Sequence, residues 1–352
     1  MQGKKIAGFT LAVLMAAAIA SPSPAQAADF YAGKQVKIII GLGAGSTYDA
    51  YARTLARHMG RYVPGKPEFL NVNMPGAGSL KAYNYIYNVA KKDGTEFGTG
   101  HRFVPIMPLF KIKGANFDGT KFSYIGSANK EVGVTIAWHS SDVKTFNDLK
   151  HKVLVVGTTG RGAQLTNFTS VLKTALGAKF KVVSGYKTTR EIDLALERGE
   201  IQGRAGVSYN SITNAQPDWI TGKKVTFLIQ MGLSKHPELP NVPNILDMVT
   251  EKTDREAIEL LLAPSEMGRP FVAPPDIPAD RLAQLRGAFD KAMKDAAFLA
   301  DAKKQQMEIN PMTGGEVEAL MKRIYSTASP ETVARAMALT ADGVKKKKKK
   351  KQ

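Results

Sequence analysis

The run VKIIIGLGAGSTYDAYAR, residues 36–53, constrains this chain more than any other stretch. VKIII is an almost continuous β-branched segment, the pattern of a strand covered on both faces. A glycine-rich turn follows, and then Tyr48, Ala52, Leu55 and Met59 recur at helical spacing. Strand, glycine turn and helix in that order predict an α/β protein with a parallel or mixed sheet.

The unit repeats. PGKPEFLNVNMPGAGS returns through a second strand to a second glycine turn, and Leu80, Tyr83, Tyr87 and Ala90 mark the next helix. KKDGTEFGTG adds a turn and a short strand. The pattern restarts near Lys152: KVLVV is a strand, GTTGRGA a turn, and Leu165, Phe168, Leu172 and Leu176 one helix face, stopped by Gly177. FKVVSGY, REIDLALERG, IQGRAGVSY and VTFLIQ complete the second series. Two lobes are therefore expected. The C-terminal helices, one with Leu282, Leu285, Phe289 and Met293, have no strands of their own and should pack on the first lobe. Thr313-Gly-Gly-Glu316 has the form of a capping box.

A length of 352 residues suits two domains. Lys4 and Lys5, the apolar run 6–20 and SPSPAQA read as a secretory signal peptide over residues 1–27, which implies a periplasmic protein. The chain has no cysteine, hence no disulfide, thiol nucleophile or lipid-bearing cysteine. Of the formal +18, seven charges belong to residues 345–351 and two to Lys4 and Lys5, which leaves +9 for the rest. The lysine run lacks aromatic neighbours, so residues 345–352 read as a disordered, solvated tail and not as a nucleic-acid site.

Glycine turns at helix starts present free backbone N–H groups to anions. Gly43, Ala44, Gly45, Ser46 and Thr47 form one such rim. Asp49 either accepts from a ligand or caps the helix. Gly76, Ala77, Gly78 and Ser79 form a second rim. Thr158, Thr159, Gly160, Arg161, Gly162 and Ala163 form a third, in which Arg161 either grips a carboxylate or faces solvent. A dinucleotide fingerprint fails because Ser46 stands at its third glycine, and no strand is followed by a phosphate loop. The five histidines show no metal-ligand spacing, and no nucleophile elbow is present. His58 should lie on a helix surface, His101 should face a cleft, and Asp93 and Glu96 should be solvated turn residues. No metal or cofactor is expected.

Together, GLGAGSTYDAYAR, NMPGAGS, KDGTEFGTG, VVGTTGRGAQ, GYKTTREIDLALERGEI, LPNVPNI and APPDIPADRL resemble the Bug-type receptors of tripartite tricarboxylate transporters. The likeness runs from about residue 30 to about residue 343. It implies a two-lobed Venus-flytrap (type II-like) binding protein and no enzyme, with lobe I formed by residues 28–127 and 236–344 and lobe II by residues 128–235. It also implies a small carboxylate (di- or tricarboxylate, or aromatic acid) held by loops 43–49, 76–79 and 157–164, with Gln164, Ser208 and Tyr209 on the second lobe and Thr99 and His101 on the first. The partner would be a membrane permease and the receptor a monomer. Two departures, Tyr48 between Thr47 and Asp49 and Arg161 in the third turn, mark positions where specificity would differ. An exported sensor signalling to a membrane kinase and a secreted enzyme acting on carboxylates are the rival readings.

Overall fold

A computed structural model describes residues 30–158, 164–186 and 189–341. The signal segment, the lysine run and the tip of the third glycine turn lie outside them. Two sheets organise the described chain. The first contains β1 (Gln35–Ile40), β2 (Glu68–Asn73), β3 (Glu96–Thr99), β4 (Ser123–Ser127), and, from the far end of the chain, β10 (Pro270–Ala273) and β11 (Met312–Thr313). The second contains β5 (Gly133–Trp138), β6 (Leu154–Thr158), β7 (Phe180–Ser184), β8 (Gly203–Ser208) and β9 (Val225–Met231). The orders are β11-β4-β10-β3-β1-β2 and β7-β6-β8-β5-β9.

Both sheets are mixed. β1 runs parallel to β2 and β3, whereas β10 enters between β3 and β4 antiparallel to both. β5 likewise lies antiparallel between β8 and β9, while β6 is parallel to β7 and β8. In each sheet the antiparallel insert is the first strand built after the chain crosses from the other lobe.

The opening strand shows why its apolar run is unbroken. Val36, Ile38 and Ile40 point to one face, packed with helix α1 (Thr47–Met59), while Ile39 joins the core beneath helix α2 (Leu80–Asn88) on the other. Lys37, the polar exception, reaches the end of the neighbouring strand and pairs with Glu96 at 3.3 Å. Glu96 is buried and also accepts from Tyr85 Oη at 3.0 Å, so it is not a solvated turn acid. Trp138 and Trp219 meet edge-to-face in the second lobe's core.

Helices α3 (Gln164–Leu176), α4 (Thr189–Glu197), α5 (Tyr209–Ala215) and α6 (Pro217–Thr221) belong to the second lobe, and α7 (Ile245–Met248) and α8 (Lys252–Leu262) lie on the return path. Residues 232–244 fold against β9: Gln230 Nε2 donates to the carbonyls of Leu239 and Val242, and its Oε1 accepts from the His236 N–H. The end helices α9 (Ala279–Ala292), α10 (Ala296–Lys304) and α11 (Gly314–Thr327) pack on the first lobe. The Thr313–Glu316 capping box opens α11. Helix α12 (Pro330–Thr340) instead lies against α8 and α3. One apolar cluster therefore runs from Ile39 and Leu320 through Leu261 and Leu339 to Phe168 and Leu172.

His58 is buried, not on a free surface, because α10 covers that side of α1. Its Nε2 lies 3.0 Å from Asp301 Oδ2, and its ring meets Phe298 edge-on. The His58 contact, opposed by partial burial and helped by Arg57 and Gln305, pulls the Asp301 carboxyl down to about 2. Its ordinary value is 3.8, so folding favours the ionised form; the stabilisation is complete above about pH 4 and lost as pH falls towards 2. Asp301→Asn should cost about 1 kcal/mol at neutral pH. Thermal unfolding across pH should show its gap to wild type closing between pH 4 and 2; a gap independent of pH would contradict this assignment.

Candidate functional site

Three first-lobe loops converge where β1, β2 and β3 end. Ser79 is their meeting point: a side chain on Gly41, after β1, would come within 2.6 Å of the Ser79 Cβ, and one on Gly100, after β3, within 2.9 Å. Only glycine permits that approach. Ser79 Oγ then accepts from the His101 N–H at 3.0 Å and locks the loops together. The geometry is strained, since Gly76, Ala77, Gly78 and Ser79 all have positive φ, and Ala77 and Ser79 carry side chains there. Such outliers persist where surrounding contacts enforce them, commonly at binding loops.

Gly43, Ala44 and Gly45 form an exposed rim, with Ser46 and Thr47 half-exposed behind it. Asp49 closes this turn. Its carboxylate accepts from Gly45 N–H, Arg53 Nε and Asn73 Nδ2, each at 2.9 Å. Burial resists ionisation, but these hydrogen bonds outweigh it and hold the carboxyl below its ordinary range. Of the two roles open to Asp49 in the sequence, the structure shows the cap.

Tyr48 is buried and turned towards the hinge. Its hydroxyl donates to the Gly268 carbonyl and accepts from the Arg102 N–H, both at 3.1 Å, and its ring lies beneath the Arg269 guanidinium at 4.6 Å. Arg269 pairs with Glu131 at 2.7 Å, and both side chains are almost wholly buried. Burial alone would depress Arg269, but Glu131 and the two stacked tyrosines, Tyr48 and Tyr51, raise it. Glu131 lies in the outward crossing from β4 to β5 and Arg269 in the return crossing, so the pair ties the two strands of the hinge. Glu131 also accepts from the Ser208 hydroxyl, which in addition caps α5. The hinge pair thus touches both lobes.

Beside it a cavity of about 230 Å³ opens between the lobes. Gly78, His101, Arg102, Phe103 and Met107 line it from the first lobe, Asn167, Phe168 and Val171 from α3, and Leu261, Pro264 and Ser265 from the return segment; Thr340 of α12 completes the rim. Phe168 can sit this close to β8 because Gly206, in a left-handed conformation, has no side chain to meet its ring. Arg102 is 5 % exposed, its Nη2 is buried without a hydrogen-bond partner, and no acid pairs with it among the described residues.

Of the residues singled out in the sequence, Gly78 and His101 line this cavity. Ser79 and Thr99 lie just behind it, both buried. Thr158, at the end of β6, is buried and shares a hydrogen bond with the Thr166 hydroxyl at 2.8 Å. Thr159, Gly160, Arg161, Gly162 and Ala163 lie outside the described residues, and of Gln164 only its place at the start of α3 is described. Tyr209 is directed elsewhere: its hydroxyl donates to Glu238 at 2.6 Å and its ring stacks near His236, in a separate groove with Glu308. Arg102 was passed over in the sequence, where it reads as an ordinary loop cation. Its only signal is its place beside His101, directly after a buried strand.

Two sheets whose strand ends face one another across a cross-linked double crossing define a periplasmic-binding-protein architecture. Solved structures agree: a TctC solute-binding protein from Polaromonas (TM-score 0.66, 18 % identity, 87 % of this chain and 99 % of that one), the periplasmic binding protein BugD (0.63, 19 %, 88 % and 98 %) and MatC from Rhodopseudomonas palustris with bound malate (0.59, 18 %, 88 % and 99 %). No protein-family model matches the chain. Over 303 residues it is 30 % identical to the UPF0065 protein in the TAR-I ttuE-ttuC′ intergenic region of Agrobacterium vitis, covering 81 % of this chain and 78 % of that protein. The chain belongs to the UPF0065 (Bug/TctC) family.

Glu131→Gln leaves Arg269 buried without its counter-charge and should cost about 3 kcal/mol. Urea unfolding checks this; a loss under about 0.5 kcal/mol, typical of a surface substitution, would show that the hinge does not depend on the pair.

Proposed function

We propose that this protein is an exported receptor that captures a small carboxylate between its lobes and delivers it, unchanged, to a tripartite tricarboxylate-type membrane permease. The observation that carries this reading is Arg102, a buried residue with no acid partner among the described residues, in the wall of a cavity that both lobes line. Burying a charge without a partner is unfavourable, and an anionic solute supplies the missing one. A basic, apolar, small-residue leader at positions 1–27 supports export, and the malate held by MatC supports the ligand class.

On this reading the first contacts in the cavity come from Gly78 and His101, and the amides of residues 43–47 and 76–79 complete the first-lobe side on closure. The second lobe contributes the start of α3 and residues 158–164. Full hydrogen bonding of the solute requires both lobes, so binding selects the closed arrangement. The Glu131–Arg269 pair is the pivot.

The test is a thermal-unfolding screen of the purified protein with malate, citrate, hexanoate, phenylacetate and free amino acids, followed by scattering with and without the best ligand. At a hundred times its dissociation constant, a true ligand adds about 2.7 kcal/mol, the midpoint rises, and the radius of gyration contracts. A screen in which only amines or nucleotides stabilise the protein, or a ligand recovered chemically altered, would end the proposal.

A further inference from the structure

The receptor reading leaves open which acid the cavity takes, and the wall opposite Arg102 bears on that question. Phe103, Met107, Phe168, Val171, Leu261 and Pro264 line the same cavity as Arg102 and make most of its wall apolar. Phe168, Val171 and Leu261 also belong to one buried apolar cluster, so this wall is continuous with the core. Polar groups on the lining are few: His101, Asn167, Ser265 and Thr340. Among the described lining residues Arg102 is the one permanently charged group.

Building on the receptor reading, we propose that the solute is a carboxylate with a hydrocarbon body, aliphatic or aromatic, and not a hydroxylated polyacid. A guanidinium offers a carboxylate two parallel hydrogen bonds and a matching charge. The remainder of such a ligand displaces water from apolar walls, where burial is favourable in proportion to area. A second carboxylate against Phe168 and Val171 would meet no second permanent cation among the described lining residues, which is unfavourable. At about 230 Å³ the cavity has room for a compact acid. Tyr48 acts as a positioning residue: by accepting from the Arg102 N–H while donating to the Gly268 carbonyl, it fixes the guanidinium's backbone relative to the hinge.

Calorimetric titration of the purified protein with hexanoate, phenylacetate, malate and citrate tests this. Hexanoate or phenylacetate should bind at least tenfold more tightly than either polyacid. Arg102→Met should weaken the preferred acid at least tenfold, while the unliganded protein melts at the same temperature or higher, because an unpaired buried charge has been removed. A guanidinium with a merely structural role would give a lower melting temperature instead. Met107→Ser, at a half-exposed wall position, should weaken hexanoate several-fold and leave the polyacids unchanged. Tightest binding of malate or citrate overturns this inference and leaves the receptor reading standing; wild-type affinity in Arg102→Met, or its reduced melting temperature, overturns the inference and also removes the observation that carries the receptor reading. Silence with all four acids, when the wider screen yields another ligand, overturns the inference alone; silence in both overturns both.

Discussion

Everything about the cleft depends on the ion pair between Glu131 and Arg269. Each residue sits on a different crossing between the lobes, and neither side chain has access to water that could solvate it alone. A charge in that position is tolerable only with its counter-charge in contact, so the two crossings cannot separate without exposing or stranding one of them. The aromatic faces of Tyr48 and Tyr51 enclose Arg269 from the first lobe, and the Ser208 hydroxyl reaches Glu131 from the second. The hinge is thereby defined chemically, by one pair and its immediate neighbours, and not only by the path of the chain.

From that pair the structure leads outward to the cavity in two steps. The Tyr48 hydroxyl that touches Gly268 also receives the Arg102 backbone N–H, and Arg102 is one of the residues lining the cavity between the lobes. The arrangement separates two cations with different fates. Arg269 is permanently neutralised inside the protein and serves structure. Arg102 is held at nearly the same depth but has no acid partner among the described residues. Tyr48 is the residue inserted between Thr47 and Asp49 relative to the pattern the chain resembles, so the position that departs from that pattern is the one that links the hinge to Arg102.

Much of the fold was legible in the sequence because its signals are local. The strand–glycine turn–helix order, the helical spacing of Tyr48, Ala52, Leu55 and Met59, and the Thr313–Glu316 cap each depend on residues a few positions apart, and all reappear in the structure. What escaped is what depends on distant partners. The burial of His58 follows from α10, which arrives more than two hundred residues later. The antiparallel entry of β10 and the pairing of Glu131 with Arg269 leave no periodic trace. Arg102 escaped for the same reason: its isolation from acids is a property of the assembled lobes, whereas in the sequence a loop arginine is a commonplace. Tyr209 shows the converse, a residue at a plausible sequence position whose hydroxyl is directed into another groove by Glu238.

Helix α12 belongs by sequence to the end of the chain but lies against α8 and α3, and Thr340 reaches the cavity rim. The last described turn of the protein is thus part of the vessel's wall. Shortening the chain by a few residues there, a change that would be trivial at most termini, would remove part of the cavity's rim.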